Sequence, residues 1–201
     1  MNPFQVVKDF EAALCEYTGA KYAVTTTSCT SALLIACAYM RGERPEHTVE
    51  IPQNTYVGVA QSIVHAGFSV SFATYTGWSG GYPLYPLLIW DYARRFTSGM
   101  YRFGEFQCVS FHPTKILALS GYGGAVLHDN DEADEWLRRA RFDGRKEGVH
   151  PKDDEFTRGW HCYMSPQTAA EGLLRLSTLP KHNEDLPNDD YPDLSKCEVF
   201  K

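Results

Sequence analysis

The sequence has no apolar run approaching the roughly 20 residues of a membrane span. Its beginning also lacks the basic-then-apolar pattern of a signal peptide. Positive charge is not in excess, because 19 Lys and Arg residues face 25 Asp and Glu residues for a net charge of −6. This balance argues against a broad basic face for nucleic acid and leaves only a local basic patch open. Together these absences predict a soluble, cytoplasmic chain without a membrane partner.

The six cysteines show little organisation. They include no C-x-x-C pair and no spacing to histidine that is typical of a metal site, so neither a bound metal nor a disulfide framework is expected. Cys37 and Cys108 lie in apolar runs and are predicted to be core residues. Motifs typical of hydrolases, P-loop NTPases and metalloproteases are missing as well.

The sequence does have the composition and patterning of a globular α/β protein. Its 201 residues are 43% hydrophobic and 22% charged, enough for one large domain. Short apolar strands alternate with helices, which predicts three layers, with a mostly parallel sheet covered by helices on both faces. We expect residues 1–180 to form this domain and the proline- and acid-containing residues 181–201 to be a tail or arm.

The predicted elements follow from hydrophobic periodicity and from cap and turn residues. Helices are expected over 4–19, with Asn2-Pro3 as its cap, from Ser28 to Gly42, and over 56–65, 131–141 and 166–179. Strands are expected over 22–26, 48–52, 70–73, 87–90, 106–111 and 123–128, and the Gly-, Tyr- and Pro-rich residues 75–86 are expected to be loop.

Chemically distinct side chains follow several of these strands. They are Ser28 and Thr30, Tyr56, Asp91, and Lys115. Alone, each has an ordinary explanation as a helix cap, a packing residue, a turn residue or a solvated surface charge. In open parallel sheets, however, ligands bind beyond the carboxyl ends of the strands.

Together these five residues meet the requirements of pyridoxal 5′-phosphate. Its phosphate needs hydroxyls and backbone N–H groups at a helix N-terminus, as at Ser28 and Thr30. The ring nitrogen needs a carboxylate such as Asp91, and the ring face needs an aromatic cover such as Tyr56. The aldehyde needs a lysine of lowered pKa, for which Lys115 is the candidate.

Over roughly residues 4–180 the chain resembles the DegT/DnrJ/EryC1/StrS family of pyridoxal-phosphate-dependent, fold-type-I sugar aminotransferases. The motifs that carry the resemblance occur in one collinear order, at residues 17–24, 28–33, 51–56, 89–93, 110–115, 123–126 and 163–165. The resemblance implies a doubly wound large domain, a Schiff base at Lys115, and a homodimer with two sites near its interface. It further implies that Ser110, five residues before the lysine, is a phosphate ligand.

From these arguments we expect Lys115 and Asp91 to be catalytic. The expected cofactor-binding residues are Ser28, Cys29, Thr30, Tyr56, Asp91, Ala93, Arg94, Ser110, Lys115 and His161.

The chain also departs from the family pattern. Arg94 replaces a Gln or His, His161 replaces the asparagine that relatives donate across the dimer, and Tyr122 replaces an acid. Arg94 is therefore expected to anchor a substrate carboxylate, to contact the cofactor or to pair with an acid at the dimer interface. Relatives continue into a small C-terminal domain that this sequence does not contain, so the open side of the site is left exposed, covered by the partner subunit or covered by residues 183–201.

Three functions are consistent with these residues. The first is an aminotransferase acting on a sugar-like or other bulky substrate, such as a small-molecule or conjugated amine or amino acid. The second is a pyridoxal-phosphate-dependent decarboxylase or lyase acting on an amino-acid-bearing substrate. The third is a non-catalytic subunit with the same fold.

Overall fold

The computed structural model describes residues 4–43, 48–75, 77–188 and 190–201. The predicted Asn2-Pro3 cap lies outside these residues. The helices are α1 (Gln5–Thr18), α2 (Cys29–Glu43), α3 (Val57–His65), α4 (Asp131–Ala140) and α5 (Pro166–Thr178). The strands are β1 (Tyr22–Thr26), β2 (Thr48–Pro52), β3 (Ser69–Ala73), β4 (Tyr82–Leu84), β5 (Ile89–Tyr92), β6 (Phe106–Ser110) and β7 (Gly124–His128), and two 3₁₀ turns follow at Leu194–Lys196 and Glu198–Phe200.

The strands form a five-stranded sheet in the order β1-β7-β6-β5-β4 and a separate parallel pair, β2-β3. Backbone hydrogen bonds of 2.7 and 3.1 Å between Glu50 and Tyr85 join the two sheets. The α/β fold class is confirmed, but the larger sheet is mixed rather than mostly parallel. Only β5 and β6 pair in parallel in it, while β1-β7, β7-β6 and β5-β4 are antiparallel.

The antiparallel direction of β4 and β5 has a simple cause. Only residues 85–88 separate β4 from β5, whereas a parallel pair needs a crossover of a dozen or more residues. The sequence misled on this point because a strand covered on both faces is apolar throughout, whichever direction its neighbours run. Every residue of β6 and β7 is buried.

The direction of the strands still brings their carboxyl ends together. Because β7 is antiparallel to both β1 and β6, β1 runs in the same direction as β6, which is parallel to β5. The last residues of these strands therefore lie at the same end of the sheet. They are Thr26, Tyr92 and Ser110. The segments that follow β1 and β6 start at this end.

Two apolar layers hold the helices against the sheet. On one face the buried cluster contains Ile35 of α2 and Cys108 of β6; on the other it contains Phe10 of α1 and Val109 of β6. Adjacent residues of one strand thus pack into opposite layers, as the alternation of a strand requires. The predicted core positions of Cys37 and Cys108 are confirmed, and all six cysteines are free.

A buried ion pair fixes the end of β1. The guanidinium of Arg141, fully buried, is hydrogen-bonded to Glu11 and donates to the carbonyl oxygen of Thr25 at 2.7 Å. Glu11 in turn accepts hydrogen bonds from the Thr25 amide at 3.0 Å and its hydroxyl at 2.8 Å. Arg141 is thus a buried structural residue, because it holds the strand that leads to Ser28.

Candidate active site

A cavity of about 520 Å³ opens at the end of the sheet where β1, β5 and β6 have their carboxyl ends. The predicted site residues that line it are Ser28, Cys29, Thr30, Tyr56, Asp91, Ala93, Arg94, Ser110 and Lys115. Segments far apart in sequence are thus brought to one place. Within the described ranges, no group of three potential ligands is arranged for a metal ion, and no helix is long and apolar enough to cross a membrane.

The turn between β1 and α2 supplies hydroxyls at a helix N-terminus. The Ser28 hydroxyl accepts a hydrogen bond of 3.1 Å from the Ser31 amide and so caps α2. β7 lies very close to this turn, since a Cβ atom on Gly124 would lie 2.4 Å from the backbone nitrogen of Cys29. Thr30 and Ser110 also line the cavity, so three hydroxyls and the positive end of the α2 dipole face the same space.

Asp91 is a buried carboxylate in β5, one residue before its end. Its Oδ1 accepts a hydrogen bond of 2.9 Å from the Ala93 amide, and its Oδ2 accepts one of 3.0 Å from the Tyr82 hydroxyl. The Cys29 thiol lies 4.0 Å from Oδ1. Burial raises the pKa of Asp91, while the Ala93 and Tyr82 hydrogen bonds act in the opposite direction.

Lys115 lies in the loop after β6 and is half-buried. Its amide donates a hydrogen bond of 2.8 Å to the carbonyl oxygen of His112. Burial and then the positive charge of Arg94 lower the pKa of Lys115, although Asp91 and Cys29 oppose this shift. A lowered pKa increases the fraction of neutral, nucleophilic amine at a given pH.

Arg94 is buried beside the cavity, at the end of β5. Its guanidinium donates a hydrogen bond of 2.6 Å to the carbonyl oxygen of Pro187 and lies 6.0 Å from the ring centre of Tyr191. The predicted pairing of Arg94 with an acid at a dimer interface stays a prediction, as do its two ligand roles.

Tyr56 directly precedes α3, and its ring lies close to that helix. A Cβ atom on Gly58 would lie 2.6 Å from the Tyr56 ring and 3.0 Å from the Thr30 hydroxyl, so only glycine leaves this space. The Tyr56 ring centre is 6.2 Å from that of Tyr191. Its side chain is thus held between the α2 turn and the C-terminal part of the chain.

His161 is the one predicted site residue that does not line the cavity. Its exposed ring is hydrogen-bonded to the Asp143 carboxylate at 2.9 Å. A contact of His161 with the site of a partner subunit stays a prediction.

The sequence did not reveal several residues of the site. Tyr82 and Thr55, hydrogen-bonded to each other behind Asp91, were not singled out, nor were Trp78 and Tyr191, which line the cavity. Tyr82 lies in the stretch predicted as loop; its alternation with Leu84, both buried around an exposed Pro83, is the available signal for the short strand β4.

The residues present fit pyridoxal 5′-phosphate. The closest donors to Asp91 are a phenol, an amide and a thiol, all neutral, and a buried carboxylate is stabilised by a cation such as a protonated ring nitrogen. The three hydroxyls suit the phosphate, and the amine of lowered pKa suits the aldehyde.

Solved structures with the same fold come from several bacteria. DesV from S. venezuelae, in complex with a ketimine intermediate, is 22% identical with a TM-score of 0.66; the match covers 87% of this chain and 57% of that one. AtS13 from Actinomadura melliaura is 21% identical with a TM-score of 0.75, covering 87% and 60%. NtdA from Bacillus subtilis, with bound cofactor PMP, is 21% identical with a TM-score of 0.71, covering 87% and 48%. The chain therefore spans about half to three fifths of the length of these proteins.

No curated protein sequence matches the chain. A family model matches residues 2–77 and 98–185. The unmatched residues between them include β4 and β5, so the placement of Asp91, Ala93 and Arg94 in the site rests on the structure itself. Because the model matches well over half of the sequence, the chain belongs to the DegT/DnrJ/EryC1/StrS aminotransferase family.

Proposed function

We propose that the protein binds pyridoxal 5′-phosphate through Lys115 and transfers an amino group to or from a sugar-like or other bulky substrate. The observation that carries this proposal is the presence of Asp91 and Lys115 in one cavity, with hydroxyls at the N-terminus of α2. Family membership and neighbours such as the sugar aminotransferase CalS13 from Micromonospora echinospora support the reaction class.

When bound, the cofactor supplies an aldehyde for covalent attachment and a ring that withdraws electrons. Ser28, Thr30 and Ser110 donate hydrogen bonds to its phosphate. Asp91 accepts a hydrogen bond from the protonated ring nitrogen and keeps that proton in place. Asp91, Ser28 and Ser110 are already held by hydrogen bonds within the fold, so these groups need little reorganisation on binding.

Tyr56 and Lys115 would act on the cofactor ring and its reactive group. Tyr56 covers one face and excludes water from it. Lys115, once its amine is released, would accept a proton at Nζ from the substrate carbon that bears the amine and would deliver it to the carbon on the other side of the transferred nitrogen. The lowered pKa of Lys115 favours the neutral amine that this transfer requires.

The experiment is a titration of the purified protein with pyridoxal 5′-phosphate, followed by borohydride reduction and peptide mapping. We expect visible absorbance that reduction fixes to Lys115, and loss of this label in Lys115→Ala but not in the exposed-site control Lys152→Ala. Addition of L-glutamate should then convert the bound aldehyde form to the amine form. A spectrum of Lys115→Ala identical to that of the unmodified protein would refute the lysine assignment.

The second candidate is a decarboxylase or lyase acting on an amino-acid-bearing substrate, whose carboxylate the buried guanidinium of Arg94 beside the cavity is suited to hold. Release of carbon dioxide without conversion to the amine form would select it. A non-catalytic subunit would bind the cofactor and show neither change.

The assembly is also a proposal. A homodimer with two sites near its interface is supported by family membership, and it would give the exposed His161 a role in the partner's site. Light scattering on the purified protein measures the mass directly. A cytoplasmic location stays a prediction.

A further inference from the structure

The C-terminal arm, here residues 183–188 and 190–197, is attached to the edge of the five-stranded sheet. Asp185 forms a salt bridge with Arg95, with one hydrogen bond of 2.9 Å from Nε. The Leu186 amide donates to the carbonyl oxygen of Arg94 at 2.9 Å, and the Leu186 carbonyl accepts from the Gly80 amide at 3.1 Å. These contacts hold the beginning of the arm beside β4 and β5.

A second attachment lies on the other side of the cavity, at the end of β2. The Leu194 amide donates to the Gln53 carbonyl at 2.9 Å, and the Leu194 side chain is buried. The Asn54 side chain donates a hydrogen bond of 3.0 Å to the main-chain carbonyl of Tyr191. Of the described residues between these two attachments, Tyr191 lines the cavity.

The Tyr191 side chain forms part of the cavity lining. The half-buried ring lines the cavity next to Tyr56 and Arg94. Asn54 holds the Tyr191 main chain, and Asp185, Leu186 and Leu194 attach the arm through other contacts, so the ring is not the only anchor of the arm. The ring packs against the apolar core and also lines the cavity, where it can contact a ligand.

We propose that Tyr191 is a specificity-determining residue, whose ring packs against the ring of a cyclic amine substrate bound beside the cofactor. This inference rests on the proposed function and extends it to the arm. Trp78 and Tyr191 add aromatic side chains to the cavity lining, and His112, Thr114 and Tyr122 add polar groups that are not assigned to the cofactor. Such a combination suits a ring that has apolar faces and a polar rim.

The test measures binding to the cofactor-free protein by calorimetry, without turnover. Three probes are compared: pyridoxamine 5′-phosphate, phosphopyridoxyl-glucosamine and phosphopyridoxyl-L-glutamate, the last two being stable reduced conjugates. The variants are Tyr191→Ala and Tyr191→Phe, with Tyr75→Ala as the control, because Tyr75 is similarly large, exposed and outside the cavity. Thermal unfolding of each variant checks that the fold is retained.

We expect Tyr191→Ala to weaken phosphopyridoxyl-glucosamine about tenfold, which corresponds to about 1.4 kcal/mol. Pyridoxamine 5′-phosphate should change little, and the L-glutamate conjugate should change less than the glucosamine conjugate. Tyr191→Phe, which keeps the ring, and Tyr75→Ala should resemble the unmodified protein.

Three results would overturn the role of Tyr191. They are unchanged binding of the glucosamine conjugate in Tyr191→Ala, tighter binding, which would show that the ring blocks the cavity, and equal weakening of all three probes, which would show a structural role. In each case the unmodified protein still binds pyridoxamine 5′-phosphate. Absence of that binding would instead refute the proposed function and the inference with it.

Discussion

The Tyr82 hydroxyl donates a hydrogen bond of 3.0 Å to Oδ2 of Asp91, and the Ala93 amide donates one of 2.9 Å to Oδ1. Both oxygens of the buried carboxylate are therefore oriented. The Tyr82 hydroxyl is also hydrogen-bonded to the hydroxyl of Thr55, which lies on the segment after β2. Tyr82 is thus a positioning residue that acts on the cofactor site through Asp91.

In Tyr82→Phe, the loss of cofactor affinity that occurs on acidification should begin at a higher pH. The Tyr82 hydrogen bond lowers the pKa of Asp91, so its loss raises that pKa further, and the carboxylate becomes protonated at a higher pH than before. The measurement is the dissociation constant of pyridoxal 5′-phosphate as a function of pH. Tyr85→Phe, at an exposed tyrosine, is the control. Superimposable profiles for the Tyr82 variant and the unmodified protein would contradict the positioning role.

Arg94→Met should slow the covalent attachment of pyridoxal 5′-phosphate severalfold at neutral pH. The charge of Arg94 lowers the pKa of Lys115, so its removal raises that pKa and reduces the fraction of neutral amine. The rate of attachment measured against pH should therefore shift to higher pH. Arg94→Lys, which keeps the charge, should restore the original profile. A profile that is the same in Arg94→Met would show that this charge does not tune the lysine.

Gly124→Ala should damage the phosphate-binding turn. The added Cβ atom would lie 2.4 Å from the Cys29 nitrogen and 2.6 Å from the Ser28 carbonyl carbon, and these backbone atoms cannot move without displacing the turn. We expect the free energy of unfolding to fall by about 1–3 kcal/mol and cofactor affinity to fall with it. In α2, Gly42→Ala is the matched control because nothing lies within 4 Å of the added atom. Urea unfolding with equal stability for both variants would contradict the close contact.

Arg141→Met should destabilise the fold by about 3–5 kcal/mol, because it leaves the Glu11 carboxylate buried without its main partner. Burial alone would raise the pKa of Glu11, but Arg141 and Arg138 outweigh it and hold the pKa below its usual value. Stability from this network is therefore present above the usual carboxyl pKa and is lost as the pH falls through the lowered one.

The stability lost in Arg141→Met, measured by urea unfolding, should accordingly be largest near neutral pH and should shrink as the pH falls, because protonation of Glu11 removes the uncompensated buried charge. The double variant Glu11→Leu/Arg141→Met removes both charges and should recover part of the lost stability. A double variant as unstable as the single one would show that the hydrogen bonds to Thr25, rather than the uncompensated charge, account for the loss.

The sequence allowed most of the fold to be predicted where the local pattern was strong. α1 was expected to end near Gly19, and that residue is indeed its left-handed C-cap. β4 was missed because it has only three residues and contains Pro83, which normally argues against a strand. Strand directions could not be read because they depend on connections and pairing rather than on side-chain type.

The site residues also divide into those that a local sequence pattern predicts and those that only tertiary packing brings together. Ser28 comes two residues after β1 and Lys115 five residues after β6, so strand prediction placed both near the correct end of the sheet. Tyr82 and Tyr191 reach the site only through tertiary packing, from segments whose composition indicated loop or tail. No local pattern specifies such contacts, whereas the three-dimensional arrangement does.

The C-terminal arm has a mechanical consequence for the two sheets. Tyr56 follows β2 of the smaller sheet and Asp91 belongs to β5 of the larger one, so opposite sides of the cavity are carried by different sheets. The sheets meet directly at Glu50 and Tyr85, and the arm spans them a second time, from Gly80 to Gln53. The arm therefore adds a second hydrogen-bonded link between the sheets, beside the apolar core that β2 shares with β5 and β6, and removing it should loosen the cleft without separating the sheets.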